Sequence, residues 1–136
     1  MTTQADDFVA IQNLKAGYCA AVDALTQDKA SAAEAFRAIF LPDVIADYGF
    51  DPITGADALA EFLCNAIAGN SEWRVHMIHS PMIAVAGDGA TGDWTVTVHL
   101  KRLDGPVDVL LGRYSDTFER TSQGWRIARV RFLRQM

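Results

Sequence analysis

The stretch DWTVTVHLK, residues 93–101, decides the fold, because polar and apolar side chains alternate along it without a break. Successive side chains of an extended strand point to opposite faces of a sheet. The pattern therefore predicts a strand with one buried and one exposed face. The buried face would carry Trp94, Val96, Val98 and Leu100, and the exposed face Thr95, Thr97, His99 and Lys101.

Three more strands are predicted around this one in the second half of the chain. Runs rich in β-branched and aromatic residues predict strands over 73–85, 107–119 and 125–132. Short turns separate them, namely AGDGA at 86–90, LDGP at 103–106 and the turn at 121–124. Strands that follow one another through short turns pair antiparallel, so the sequence predicts a mainly antiparallel sheet.

The first half of the chain predicts helices. Apolar residues three and four positions apart mark a first amphipathic helix, with Thr3 or Asp6 as its N-cap. Ser31 and Glu34 have the spacing of a capping box for a second helix, which Pro42 would end. The apolar stripe of the first helix comprises Phe8, Ile11, Leu14, Tyr18, Val22 and Leu25.

A short strand and a third helix complete the first half. DVIADYGF at 43–50 predicts the strand, and a helix opened by Thr54 would end at Gly69 and Asn70. Helices followed by consecutive strands predict one α+β domain over residues 1–136, with three helices on one face of the sheet. A long twisted sheet folded over these helices would form a cone whose mouth can hold a small, mostly apolar ligand.

The charge balance and the composition argue against several classes of partner. Lys and Arg total 12 against 17 Asp and Glu, so phosphate backbones would repel the chain and nucleic acid is not expected as a partner. No apolar run approaches the ~20 residues of a membrane helix, and the start MTTQADDF does not resemble a signal peptide, so a cytoplasmic location is expected. Cys19 and Cys64 are predicted to be buried free thiols. Neither a metal site nor a bound cofactor is expected.

Two polar residues in apolar surroundings are the first candidates for chemistry. His76 lies in RVHMIHSP, residues 74–81, on the same strand face as Ile78. Asp23 lies near the end of the first helix, where a carboxylate faces the negative end of the helix dipole. One interpretation makes His76 a structural histidine and Asp23 a carboxylate at a rim. In the other, Asp23 binds a ring nitrogen of His76 and makes the imidazole a general base.

Aromatic residues supply further candidates. Tyr18 and Tyr48 are either core tyrosines or hydrogen-bond donors that point into the cone. Five other aromatics are core residues or line the cavity: Phe62, Trp73, Trp94, Tyr114 and Phe132. His99 is predicted on the outer face of the sheet, and so is His79 unless a bulge at Pro81 turns it. The arginines of the last strands predict a solvated convex face or a subunit interface: Arg113, Arg126, Arg129, Arg131 and Arg134.

Three local matches resemble the SnoaL-like group of the nuclear transport factor 2-like fold. They are AGYCAAVDAL at 16–25, FLPDVIADYG at 40–49 and VHMIHSPMIAVAGDGATGDW at 75–94, and the likeness covers nearly the whole chain. The sequence is most similar to the branch that contains bile-acid 7α-dehydratase, scytalone dehydratase and a dehydrochlorinase. The resemblance implies a cone-shaped α+β barrel. It also implies an aspartate on the first helix, a histidine early in the long strand and tyrosines around the pocket, which match Asp23, His76, Tyr18 and Tyr48.

The resemblance further implies a cofactor-independent acid–base lyase. His76, oriented by Asp23, would remove a proton next to an activated carbon of a small hydrophobic cyclic substrate. Tyr18 and Tyr48 would hydrogen-bond a carbonyl or the departing hydroxyl, and the outcome would be a dehydratase-type elimination. Isomerisation or ring closure, as in ketosteroid isomerase and polyketide cyclases, shares the first step, and a non-catalytic binding or assembly subunit is the third alternative. A homo-oligomer, dimer or trimer, paired through the convex strands 107–134, is also implied.

Overall fold

The computed structural model describes residues 2–136, in which three helices pack on one face of a six-stranded sheet. This arrangement confirms the α+β prediction. The helices are α1 (Gln4–Asp23), α2 (Lys29–Ile39) and α3 (Ala56–Phe62), and a π-helical turn over Leu63–Ile67 continues the last one. The strands are β1 (Phe40–Asp47), β2 (Ile53–Thr54), β3 (Ser71–Ala86), β4 (Gly89–Arg102), β5 (Val107–Thr121) and β6 (Gly124–Arg134).

The sheet is mixed, with the strand order β2-β1-β6-β5-β4-β3. The last four strands pair antiparallel with their neighbours in sequence, as their short turns predicted. β1 instead pairs parallel with β6, because a long connection through α3 and the other strands brings the last strand back alongside the first. The two-residue strand β2, which pairs antiparallel with β1, was not predicted.

The core lies between the helices and the inward face of the sheet. The alternation in residues 93–101 is confirmed, since Trp94, Val96, Val98 and Leu100 are all buried. The helices contribute Ile11, Phe36 and Leu59, each fully buried. Both cysteines are buried free thiols, as predicted.

The first helix begins as predicted. The Thr3 side chain accepts the Asp6 backbone N–H at 3.1 Å, and the Asp6 carboxylate accepts the Thr3 backbone N–H at 3.0 Å. The two residues together therefore form the capping box, and neither acts alone.

The predicted capping box of the second helix is wrong. Helix α2 begins at Lys29, before Ser31, and the Asp28 carboxylate accepts the Ser31 backbone N–H at 3.0 Å. Aspartate is as good an N-cap as serine, so the earlier of two competing caps starts the helix. The helix ends at Ile39, ahead of Pro42, because extended β1 already begins at Phe40.

The start of the third helix also differs from the prediction. Thr54 lies in β2, and Gly55, with a φ of 100°, occupies the cap position before Ala56. A left-handed φ of this size favours glycine, so the helix begins after the only residue in TGA that takes it readily.

A bulge interrupts strand β3. The pairing with β4 shifts register between His79 and Met82, and Ser80 takes a φ of 52°. Before the bulge, Ile78 faces the core together with Val96; after it, Ile83 faces the core beside Gly92. The one extra residue of β3 therefore inverts which of its positions point inward.

A polar clamp fastens the start of α1 to the end of the sheet. Two nitrogens of Arg120 donate to the Asp7 carboxylate at 2.8 and 2.9 Å, and the Trp125 indole N–H donates to it at 3.1 Å. The hydrogen bonds from Arg120 hold the pKa of Asp7 well below its ordinary range. Asp7 therefore stays ionised in the folded protein at pH values where it is protonated in the unfolded chain.

This clamp predicts a pH-dependent loss of stability. The pKa of Asp7 is lower in the folded protein than its value of about 4 in the unfolded chain, so its ionised form stabilises the fold above pH ~4. This stabilisation decreases as the pH falls below that value. The difference in free energy of unfolding between the wild type and Asp7→Asn should therefore be larger at neutral pH than at pH 3. Urea denaturation at both pH values measures this difference, with exposed Asp51→Asn as the control. An equal difference at both pH values would contradict the prediction.

Candidate active site

A hollow of about 430 Å³ opens between the inward face of the sheet and the helices. This volume suits a small molecule of one to a few rings. Six aromatic side chains line it: Tyr18, Tyr48, Phe50, Phe62, Tyr114 and Phe132. Aliphatic side chains from the helices and from β4 and β5 fill the gaps between them, including Val22, Leu63, Val98 and Leu110. Apolar and aromatic side chains thus form most of the lining, and the remaining lining residues are polar or positively charged.

A histidine–aspartate pair forms the polar part of one wall. His76 lies on β3 and lines the hollow, while Asp23 is the last residue of α1 and lies behind it. Asp23 Oδ1 lies 2.6 Å from His76 Nδ1, and Asp23 Oδ2 accepts the His76 backbone N–H at 3.0 Å. The predicted contact between the two residues is therefore present. Two bonds to one carboxylate fix both the position and the rotation of the imidazole.

The His76 ring and the Asp23 carboxylate are largely shielded from water, with side-chain exposures of 10% and 23%. When the carboxylate accepts a proton-bearing Nδ1, the neutral ring keeps Nε2 as its free acceptor nitrogen. The arrangement can thus act as a general base toward a molecule in the hollow.

Arg74 secures the end of α1 that carries Asp23. Its Nη1 donates to the carbonyl oxygen of Val22 at 3.0 Å, and its Nε and Nη2 donate to Ser71 Oγ at 3.0 and 2.8 Å. The last carbonyls of a helix lack partners within it, so this bond satisfies one of them. Arg74 is buried and was not among the predicted site residues.

Two tyrosines meet at the floor of the hollow. The hydroxyls of Tyr18 and Tyr48 lie 2.8 Å apart, so one donates its hydrogen to the other. Burial raises the pKa of Tyr18 and of Tyr48 above the ordinary phenol value. Both therefore remain protonated at neutral pH, and the pair keeps one O–H to donate to a bound molecule.

A buried ion pair lies behind this floor. Lys15 Nζ is 2.7 Å from Asp116 Oδ2, and both side chains are fully buried. The ammonium also lies 3.4 Å from the centre of the Tyr114 ring and 4.1 Å from that of Tyr18, distances at which cation–π attraction is favourable. Neither residue was predicted as part of the site.

The structure separates the predicted lining residues into two groups. Phe62, Tyr114 and Phe132 line the hollow. Trp94 does not, because it packs edge-on against Phe118 inside the core. Trp73 does not either, because its position on β3 has the parity of the outer face, where it is 37% exposed.

The two other histidines and one of the arginines can also be placed relative to the hollow. His79 and His99 have the outward parity and lie away from the hollow. Arg134, which was predicted on the convex face or at an interface, instead lines the hollow. It follows Phe132 by two positions on β6 and so shares its inward face.

Neither a metal centre nor a membrane span is evident in residues 2–136. No group of three or more His, Cys, Asp or Glu side chains there is arranged to hold a metal ion. No helix within the same residues combines the length and apolar character needed to cross a membrane.

The fold and this site define a class of small α+β proteins with a ligand-sized hollow under a curved sheet. The model of the SnoaL-like domain matches residues 3–131, so the chain belongs to the SnoaL-like family. Curated proteins, by contrast, include no match to this sequence.

Solved structures share the whole architecture. A candidate aromatic ring hydroxylase from Novosphingobium aromaticivorans is 27% identical, with a TM-score of 0.86 over 99% of this chain and 93% of that one. A candidate scytalone dehydratase from the same organism is 22% identical, with a TM-score of 0.83 over 95% of this chain and 84% of that one. Hexachlorocyclohexane dehydrochlorinase LinA, type 2, is 17% identical, with a TM-score of 0.81 over 95% of this chain and 85% of that one. Similarity to a Salmonella enterica protein of the nuclear transport factor 2-like superfamily, which is 18% identical with a TM-score of 0.88 over 98% of this chain and 94% of that one, confirms this fold.

Proposed function

We propose that the chain is a cofactor-independent lyase that eliminates water, or another small leaving group, from a hydrophobic cyclic substrate. The 2.6 Å contact between His76 Nδ1 and Asp23 Oδ1 carries this proposal, because it provides an oriented base beside an apolar hollow. The names of two structural neighbours, a candidate dehydratase and a dehydrochlorinase, describe eliminations and support the same reaction class.

The proposed step needs only groups of this chain. Nε2 of His76 takes a proton from the carbon next to a carbonyl, while the free O–H of the tyrosine pair hydrogen-bonds the carbonyl oxygen. The electron pair of the broken C–H bond becomes the new C=C bond. The bond from the neighbouring carbon to its hydroxyl then breaks, and the imidazolium of His76 returns the proton so that water departs.

Product analysis tests the reaction class. The protein should convert a member of a panel of cyclic β-hydroxyketones to the enone, with a mass loss of one water and a new ultraviolet absorption. Mass spectrometry after incubation measures this change. A product of unchanged mass would show isomerisation or ring closure instead. No turnover of any member, with a ligand or partner protein retained on purification, would favour the non-catalytic alternative.

We also propose that two copies associate through the outer face of the sheet. This outer face carries apolar side chains that are between 37% and 48% exposed, namely Trp73, Val75, Val107, Val109 and Leu133. They lie on β3, β5 and β6 with the same outward parity as His99. The apolar side chains of β3 and β5 flank His99 and Lys101 of β4, and an exposed sheet face that is apolar with a polar element suits a subunit interface.

Light scattering at micromolar concentration should therefore show a dimer. Val109→Glu should shift the protein toward monomer, because it would bury an unpaired charge in the interface. Val9→Glu is the matched control, since Val9 is 58% exposed on α1, away from the outer face. A monomeric wild type, or a dimer unchanged by Val109→Glu, would contradict this assembly.

A further inference from the structure

The charge of the hollow is opposite to that of the protein. The chain carries 17 acidic and 12 basic residues, excluding histidine. The residues that line the hollow nevertheless include Arg74, Arg102 and Arg134 and no aspartate or glutamate. A cleft with one sign of charge attracts ligands of the opposite sign, and low-dielectric walls strengthen this effect. The lining side chains therefore carry an excess of positive charge, although the protein as a whole is acidic.

Two of these arginines are already engaged by the protein. Arg74 donates hydrogen bonds to Ser71 and to the Val22 carbonyl. Burial lowers the pKa of Arg74, and the nearby Asp23 carboxylate partly offsets this effect. Arg102 Nε donates to Asp108 Oδ2 at 2.7 Å. Each of these two charges therefore has an acidic neighbour.

Arg134 differs from both. Within residues 2–136 its guanidinium forms no salt bridge and no side-chain hydrogen bond. Arg134 is exposed, and it shares the inward face of β6 with Phe132. The segment that follows β1 brings two further lining aromatics, Tyr48 and Phe50, to the same end of the sheet. A planar fork of donors at the edge of an aromatic cavity suits a carboxylate, which it can bind through two parallel hydrogen bonds.

The distance between Arg134 and His76 restricts the length of a ligand that contacts both side chains. On β6, Arg134 pairs with Gly112 of β5. On the other side of the sheet, His76 of β3 pairs with Val98 of β4, which in turn pairs with Leu110 of β5. Three strand spacings separate β6 from β3, which amounts to roughly 14 Å between the two backbones. The side chains of His76 and Arg134 both line the hollow and shorten this gap. A ligand that reaches both must carry its charge at the end opposite to its reacting carbon.

We infer that Arg134 binds a carboxylate of the substrate, so that the substrate class is an apolar ring system with an acid group at one end. This inference rests on the proposed function for the identity of the reacting end. The anion site itself depends only on the unpaired guanidinium and the apolar walls around it. It is a binding site, distinct from the general base on the opposite wall.

Binding of matched probes tests the inference without turnover. The probes are benzoate, 2-naphthoate and anthracene-2-carboxylate, each compared with its neutral carboxamide by calorimetry at low salt. Wild type should bind at least one carboxylate about 10–100-fold more tightly than its amide, as expected for one charge-assisted pair. Arg134→Met should abolish this preference and leave amide binding nearly unchanged. Arg129→Met, an exposed position on the same strand, should keep the full preference.

The outcomes separate the two proposals. A wild type that binds no carboxylate more tightly than its amide, or an Arg134→Met variant that keeps the preference, would overturn the anion site. A preference that disappears in Arg134→Met, together with no elimination from any substrate, would support the anion site and remove the proposed lyase reaction. Binding to Arg102→Met should retain most of the preference, because Asp108 already neutralises Arg102.

Discussion

Replacing His76 with alanine should lower kcat for the elimination by about 10²–10⁴-fold, the range that general acid–base assistance supplies. The loss should appear in kcat, with little change in KM, because the aromatic walls that hold the substrate remain. Steady-state kinetics on the substrate found by product analysis measures this effect. Circular dichroism checks that the variant folds.

Asp23→Asn sharpens the same test. An asparagine has nearly the same shape and can still accept the His76 backbone N–H. Its amide, however, donates to Nδ1, so the neutral ring must carry its proton on Nε2 and loses its free acceptor. We expect a loss of kcat similar to that of His76→Ala with an almost unchanged thermal midpoint.

The matched control is His79→Ala. His79 lies three residues further along β3 and points to the outer face, so its replacement should leave kcat within about twofold of wild type, a change smaller than 1 kcal/mol. Wild-type activity in either His76→Ala or Asp23→Asn would remove the proposed base. Equal losses in all three variants would point to a folding defect.

Replacing Lys15 with methionine should lower the free energy of unfolding by about 3–5 kcal/mol, the second large effect. The substitution leaves the Asp116 carboxylate buried without its cation, and burial already raises the pKa of this group despite Lys15. The cation–π contacts with Tyr114 and Tyr18 are lost at the same time. Urea denaturation at pH 7 measures the change.

The double variant Lys15→Met with Asp116→Asn should recover much of that loss. It removes both charges, and the asparagine can still accept the Arg131 backbone N–H that Asp116 accepts at 3.2 Å. Removal of a whole buried pair is commonly far less costly than removal of one partner. A double variant that is as unstable as the sum of the two single variants would contradict this account.

The sequence predicts the inward face of β4 correctly for a local reason. Alternation of period two is a property of the strand itself, so residues 93–101 reveal their buried side without knowledge of the partners. The first helix is different. The predicted stripe includes Phe8 and Leu14, which are only partly buried, whereas Asp7 and Lys15 are buried.

Apolar periodicity fails there because it assigns every charge to solvent. Asp7 and Lys15 are buried because Arg120 and Asp116, more than a hundred positions later in the chain, supply their counter-charges. One signal for Lys15 was present in the sequence. It lies at helical spacing between Ile11 and Tyr18, and an aspartate, Asp116, interrupts the inward positions of β5 between Tyr114 and Phe118.

The candidate site was predicted only in part for a similar reason. Asp23 and His76 stand out because each is a polar residue in an apolar stretch, and the resemblance to a known family paired them. Arg134 and Arg74 do not stand out, since arginines on strands usually face solvent. Their contribution depends on how far the sheet curves, which depends on the packing of all three helices and cannot be read from any one strand.

The bulge at Ser80 determines which side chains of β3 point inward beyond it. Because one extra residue decides whether odd or even positions turn inward, its deletion would exchange the inward and outward positions of β3 beyond the bulge, Met82 and Ile83 among them. Relatives with an insertion or deletion at this point would therefore direct a different set of side chains toward the core beyond it, even where their sequences are identical. Site residues of such relatives should be aligned on the segment of β3 before the bulge, which contains His76. The pairing with β4 is continuous there, so inward and outward positions correspond.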